Sequence, residues 1–433
     1  MNVSAPEDNW HQIGDEAVAL LKDYLSFDTA NPPGDVSSAA RFLKEKLDAS
    51  GISTKLFWSD RQNGKVNLLA RLEGTGAKAP LLMLHHMDVV PVDKSGWTVD
   101  PFGDVEKDGY IYGRGALDMK NYGITHLMTL LLLARNHVSL DRDVMMLAVA
   151  DEEIGGELGT GWMVENQWGD MAPEFVLDEG GFGTQGFFTH DDRLIFSVGV
   201  AEKQMFALQL TVNRRPGHAS MPPAENANFI LTKALNRVAA YQTPEIITPV
   251  VGEMITRLGG LEDTPYNNAL RRNTISLTVL KGFVGDPPKT NVIPETAQAV
   301  LDCRLLPGHD KQEFLAELEM VIDDPSIKIE IVLESKQQSV TSSHETDLFR
   351  IIEEETKVLY PDSITLPHLI IYGTDSRYFR EKGAQCYGFF PGPVSMEEYA
   401  RIHGNDERIR IDSLRNATRI YYNVVKRFCE GKN

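Results

Sequence analysis

Four stretches of the chain are apolar at every position, and each stops at a polar cluster. Leu81–Leu84 runs into HHMD, Val144–Ala150 into DEE, Phe175–Leu177 into DEGG, and Leu369–Tyr372 into GTDS. A strand without polar alternation is buried on both faces, as in a mostly parallel sheet covered by helices. Apolar residues at helical spacing over Ala39–Asp48, Tyr122–Asn136 and Leu348–Val358 supply the covering layers, so the pattern predicts an α/β domain. Ligands of such sheets gather at the carboxyl ends of the strands. All four polar clusters fall there.

Between about Ser197 and Ser335 the period changes to two. Phe206–Val212, Ile275–Val279, Ala297–Cys303 and Ile327–Leu333 each alternate apolar with polar positions, the mark of strands with one wet face. Helical patterns at Ala227–Tyr241 and Lys311–Ile322 follow the first and third of them. The order β-α-β-β-α-β predicts a ferredoxin-like α+β unit. The reading is a larger discontinuous α/β domain, residues 1–196 and 336–433, with a smaller domain, 197–335, inserted into it. Ser197–Val200 and Ser335–Val340 are the candidate hinges.

Charge and cysteine usage narrow the class. The 433 residues carry 43 Lys and Arg against 62 Asp and Glu, a net charge of −19. So acidic a chain has no general attraction to phosphate backbones or anionic membranes, which excludes nucleic acid as an expected partner. Cys303, Cys386 and Cys429 are too dispersed for a disulfide framework or a CxxC metal site. The longest apolar stretch falls well short of the ~20 residues that span a bilayer. The opening MNVSAPEDNWHQ lacks the pattern of a signal peptide. The expectation is a cytoplasmic protein without a membrane partner.

The polar clusters hold a plausible metal set: His86 and Asp88, Asp118 in GRGALDMK, Glu152 and Glu153, Glu179, and His403 in RIHGNDE. Imidazole with carboxylate suits zinc, cobalt or manganese better than calcium. Several carboxylates at one sheet edge repel one another unless a cation compensates. Taken singly, Asp118 could cap a helix and Glu152–Glu153 could be a solvated loop. Their joint placement at successive strand ends favours the functional reading. His85 is left out of the ligand set, and His126, Met145 and Met146 read as core.

With these residues in view, the sequence resembles metallopeptidase family 20, the di-zinc aminoacylase, carboxypeptidase G and acetylornithine deacetylase group. LHHMDVVP, GRGALDMK, ADEEIGG, LDEGG, RPGHASMP, NVIPETAQAVLDCR, YGTDSR and RIHGNDE carry the likeness in order from residue 84 to 407. The aminoacylase, carboxypeptidase S and N-fatty-acyl-amino-acid hydrolase branch is the most similar. The resemblance implies two zinc ions per subunit, with cobalt or manganese as alternatives. His86 and Glu179 would hold one, Glu153 and His403 the other, and Asp118 would bridge them beside a cis peptide bond to Met119. It makes Glu152 the general base and Asp88 the acid that orients His86.

That site implies hydrolysis of an amide by metal-activated water. By the same resemblance His218 reaches across a homodimer, formed through the inserted domain, to steady the oxyanion. Arg304 would bind the substrate's free carboxylate with support from Asn291. Gly373 and Thr374 precede the helical pattern Ser376–Lys382, whose first amides could also hold a carboxylate. The expected substrate is a small N-acyl-L-amino acid. A short peptide with a free carboxylate, cleaved by an exopeptidase, is the alternative, and a metal-binding protein without catalysis is the rival from another class. GGFGTQGFF after Glu179 is compatible with an apolar acyl pocket or with a packed hairpin.

Overall fold

The computed structural model describes residues 7–190 and 192–431. The chain opens a large sheet with an antiparallel pair, β1 (Ser53–Asp60) and β2 (Lys65–Leu72). The buried strands β3 (Leu81–His86), β4 (Val144–Val149), β5 (Phe175–Asp178) and β6 (Ile195–Glu202) follow. It then leaves for a second sheet built from β7 (Gln204–Asn213), β8 (Thr274–Lys281), β9 (Thr296–Leu305) and β10 (Lys328–Glu334). It returns as β11 (Ile364–Ile370) and β12 (Gln385–Gly388).

The large sheet runs β1-β2-β4-β3-β5-β12-β6-β11. Its centre is parallel, with β3 beside β4 and β5, and β5 beside β12. Side-chain alternation divides the apolar strands between two faces: Leu81 and Met83 enter the main core, while Leu82 and Leu84 enter a second one. Both faces are covered, which is why these strands read as unbroken apolar runs. Helix Lys120–Arg135 is buried along fourteen of its sixteen residues, so it shows little amphipathic contrast.

The second sheet runs β8-β9-β7-β10, all antiparallel, with helices Ala227–Ala240 and Lys311–Ile322 over one face. Phe206, Leu208, Leu210 and Val212 face that separate core with Ala297, Ala299, Leu301 and Cys303. The expected alternation fails on β8, where the register slips between Leu277 and Val279 and both side chains emerge. An edge strand lacks a second neighbour to hold its register.

Two pieces of the expected inserted unit belong instead to the large layer. β6 pairs in parallel with β11, so the chain crosses to the second sheet only after Glu202. Helix Pro249–Leu258 packs on β11, and its Val250, Val251, Met254 and Leu258 are buried in the main core with Leu270. That apolar stripe would be stranded on the small unit, whose core is already closed by two other helices.

Candidate metal centre

Strand geometry delivers the donors. His86 ends β3, Glu152 and Glu153 follow β4 and Glu179 follows β5, so three adjacent parallel strands deliver them to the same edge. Asp118 and His403 come from loops. Asp118 is joined to Met119 by a cis peptide bond, as the resemblance implied. Asp151 (φ 77°) and His403 (φ 61°) both hold the left-handed conformation that non-glycine residues seldom adopt.

Asp118 stands between two imidazoles: its Oδ1 lies 3.0 Å from His86 Nε2 and its Oδ2 lies 3.0 Å from His403 Nε2. Glu153 Oε2 is 3.4 Å from the same nitrogen of His403. Donor atoms of His86, Asp118 and Glu153 lie within 4.8 Å of one another, as do those of His86, Glu152 and Glu179. A four-coordinate zinc ion with bonds of about 2.0–2.1 Å keeps its donors roughly 3.3 Å apart. The residues therefore fit a cation, and Glu153 Oε1, buried without any hydrogen-bond partner, is a donor that nothing in the protein uses. Glu152 lies within reach of the His86–Glu179 group, where a base would serve a water.

The electrostatics point the same way. Burial raises the pKa of Glu152 and Glu179 well above the usual carboxyl range, and neighbouring carboxylates push further in that direction. Burial opposes a charged His86, but the Asp118 hydrogen bond and the charges of Glu179, Asp118 and Glu152 outweigh it and raise its pKa. Hydrogen bonds to Asp118 and Glu153 raise His403 to about 10. Without a cation the cluster must hold protons to offset its negative charge.

Its supports extend beyond the donors. His86 Nδ1 meets the backbone carbonyl of Asp88 at 2.8 Å, whereas the Asp88 carboxylate is 3.7 Å away. That carboxylate instead accepts the amides of Glu152 (3.2 Å) and Glu153 (3.3 Å) and the Asn31 side chain (2.7 Å). Asn31 Oδ1 in turn accepts from Lys65, which pairs with Asp151 at 2.9 Å, both side chains being buried. Across the site, buried Glu407 accepts the amides of Gly115, Leu117 and Asp118 and pairs with Arg114 at 2.5 Å. Asn31, Lys65 and Glu407 escaped the sequence reading. Asn31 was masked by a turn-like NPPG, and Glu407 sat unassigned inside RIHGNDE.

A cavity of about 1400 Å³ opens over the cluster between the two sheets, lined by Glu152, Glu153, Glu179 and His403 and by Arg304 and Gly373. Arg304 pairs with Asp302 (2.9 Å) and donates to Ile371 O (3.3 Å). The Thr374 amide, expected to face a ligand, is already taken by Glu202 Oε2 at 2.5 Å. Glu202 is anchored in turn by Arg380 at 2.6 Å, and Thr374 is absent from the cavity lining. Exposed His218 lies on a short ribbon of the small unit, paired with Val292, and exposed Asn291 immediately precedes that partner strand; neither lines the cavity. His218 Nδ1 meets Ser220 Oγ at 2.7 Å. His85 and His126 are buried away from the donors, against Tyr24 and Tyr421.

An α/β sheet edge where strand ends and two loops gather two imidazoles and four carboxylates beside a cavity defines a hydrolase of the metal-centre class. The chain belongs to peptidase family M20/M25/M40, whose model matches residues 82–427. It is a hydrolase of amide or peptide bonds. It is 31% identical over 377 residues to the human (Homo sapiens) N-fatty-acyl-amino acid synthase/hydrolase PM20D1, covering 80% of this chain and 74% of that protein. It is 29% identical over 405 residues to aminoacylase-1 of Sus scrofa, covering 91% and 90%. Its fold matches an M20 family metallo-carboxypeptidase of Sulfolobus solfataricus with a TM-score of 0.72 at 20% identity, over 95% of this chain and 98% of that one.

Proposed function

We propose that this protein is a zinc-dependent amidohydrolase that cleaves the amide bond of N-acyl-L-amino acids. The observation that carries the reading is Asp118 set between His86 and His403, 3.0 Å from each. A carboxylate with one oxygen on each side suits a bridge between two ions, with His86 and Glu179 on one and Glu153 and His403 on the other. Two divalent ions held there would polarise a carbonyl and bring the pKa of a water towards neutrality. Imidazole and carboxylate donors favour zinc, with cobalt or manganese as substitutes.

The residues around the donors divide the remaining work. Glu152 takes the water's proton and returns it to the leaving amine. Asp88 fixes the loop that presents Glu152. Arg304 reads the free carboxylate next to the scissile amide, and a guanidinium can meet that planar anion with two hydrogen bonds. Gly373 leaves room beside it. The likeness to PM20D1 and aminoacylase-1 supports an acylated amino acid over a peptide.

His218 and Asn291 act in this reading across a homodimer formed by the inserted unit. Exposed Leu277 and Leu280 on the edge strand β8, 50% and 59% accessible, support an apolar partner surface there. Three buried free cysteines suit a reducing cytoplasm. None of the helices among the described residues is long and apolar enough to cross a membrane.

The test is hydrolysis of a mixed panel of N-acyl amino acids and dipeptides by zinc-loaded protein, read by mass spectrometry beside a chelated control. Metal-dependent release of amino acids from the acylated members is expected. Cleavage confined to dipeptides would move the assignment to an exopeptidase.

A further inference from the structure

Lys203 is the single residue between β6 and β7, where the chain passes from one sheet to the other. Its amide donates to Ile370 O at 3.0 Å, tying it to the end of β11. Its side chain is 3% exposed and lines the cavity above the cluster. In the ladder, Met205 faces Arg304, so Lys203, two residues earlier, is a diagonal neighbour of Arg304 on the same face. Met205 and Arg304 line the cavity as well.

The ammonium of Lys203 has three donors, and one of them reaches Arg272 O at 2.6 Å. Among the described residues it makes no ion pair. The nearby carboxylates are committed elsewhere: Glu202 to Arg380 and the Thr374 amide, Asp302 to Arg304. Of the other lysines buried near the site, Lys65 pairs with Asp151, and Lys120, outside the cavity lining, donates to the Tyr24 and Phe27 carbonyls. A buried cation without a counter-charge is costly unless an anion joins it. The cavity is the side from which one can come.

We propose that Lys203 is the second cation of the carboxylate subsite, so that its ammonium and the Arg304 guanidinium together hold the free carboxylate of the substrate. This rests on the N-acyl amino acid reading. Burial and the neighbouring Arg304 guanidinium lower the Lys203 ammonium to about 7, and a bound carboxylate would favour its charged form; Lys203 binds the anion and takes no part in proton transfer. Two cations converging on one anion make the subsite selective for an acid over its neutral amide, because only the acid supplies the counter-charge that buried Lys203 lacks.

The experiment compares wild type, Lys203→Met and Lys203→Arg, all zinc-loaded. KM and kcat are measured for an N-acyl amino acid, and the primary amide of the same compound is measured as a competitive inhibitor. The expected result is a KM for the acid raised about tenfold or more in Lys203→Met, with kcat held within about threefold. The affinity for the amide should be unchanged, and Lys203→Arg should restore most of the loss. Equal weakening of acid and amide, no change in either, or failure of arginine to rescue a folded variant would overturn it and leave Lys203 a hinge fastening. Absence of turnover in wild type would be a different result, since it removes the parent reading.

Discussion

The carboxylate of Asp88 accepts the backbone amide of Glu152 at 3.2 Å. One acid on the loop after β3 thus sets the place of Glu152, the proposed base after β4, while the Asp88 carbonyl meets His86 Nδ1. Replacing Asp88 with Ala removes the acceptor for two amides and for Asn31. A loss of about 10–100-fold in activity is expected, the usual cost of removing a group that orients a metal-site residue. Near-normal rates in a fully metal-loaded Asp88→Ala protein would contradict this assignment.

Glu152→Gln keeps the shape of the side chain and removes its basicity. Turnover should fall by about 10²–10⁴-fold. Metal content, measured by elemental analysis, should stay at the wild-type level if, as proposed, Glu152 is the base and not a ligand. A parallel loss of metal would reassign it as a donor.

Glu407 is fully buried and satisfies three amides of the Asp118 loop together with Arg114. Glu407→Ala leaves an uncompensated guanidinium, for which a loss of about 3–5 kcal/mol is expected in denaturant unfolding. Glu407→Gln, which can still accept, should fold better yet bind metal more weakly, because the Asp118 loop is less firmly set. Calorimetric titration with zinc separates the two effects.

If His218 acts across a dimer, the variants His218→Ala and Glu152→Gln should each be inactive alone and regain activity when mixed and allowed to exchange subunits. In the mixed dimer one site has both an intact Glu152 and a partner that retains His218. Persistent inactivity of a mixture shown to contain heterodimers would refute the cross-subunit role.

Removing metal should also cost stability, since Glu152, Glu153, Asp118 and Glu179 crowd together at one sheet edge. An ion present at a hundred times its dissociation constant adds about 2.7 kcal/mol to the folded state. Thermal unfolding with and without a chelator should show a clear drop in midpoint. Identical midpoints would mean that the cluster does not hold an ion tightly.

Much of this site was legible because buried parallel strands announce themselves as apolar runs and their polar ends mark the ligand edge. His86, Glu153 and Glu179 could be picked out this way. Arg304 could be placed on a strand face from alternation alone. Contacts set by distant packing were not legible. The Thr374 amide is taken by a carboxylate 172 residues away, and nothing near Thr374 in the chain signals it. Helix Pro249–Leu258 has an ordinary amphipathic pattern that does not say which of two cores it will cover. Lys65 reads locally as a solvated strand residue, and only the fold buries it against Asp151.

The central claim is that the cluster around Asp118 is a hydrolytic metal centre. Its most direct test is to strip the protein of metal and titrate zinc back while following bound metal and amino-acid release from an N-acyl amino acid in the same samples. The account predicts negligible release by stripped protein and full turnover as about two ions per chain are bound. Undiminished hydrolysis by stripped protein, or none with both ions in place across the substrate panel, would contradict it.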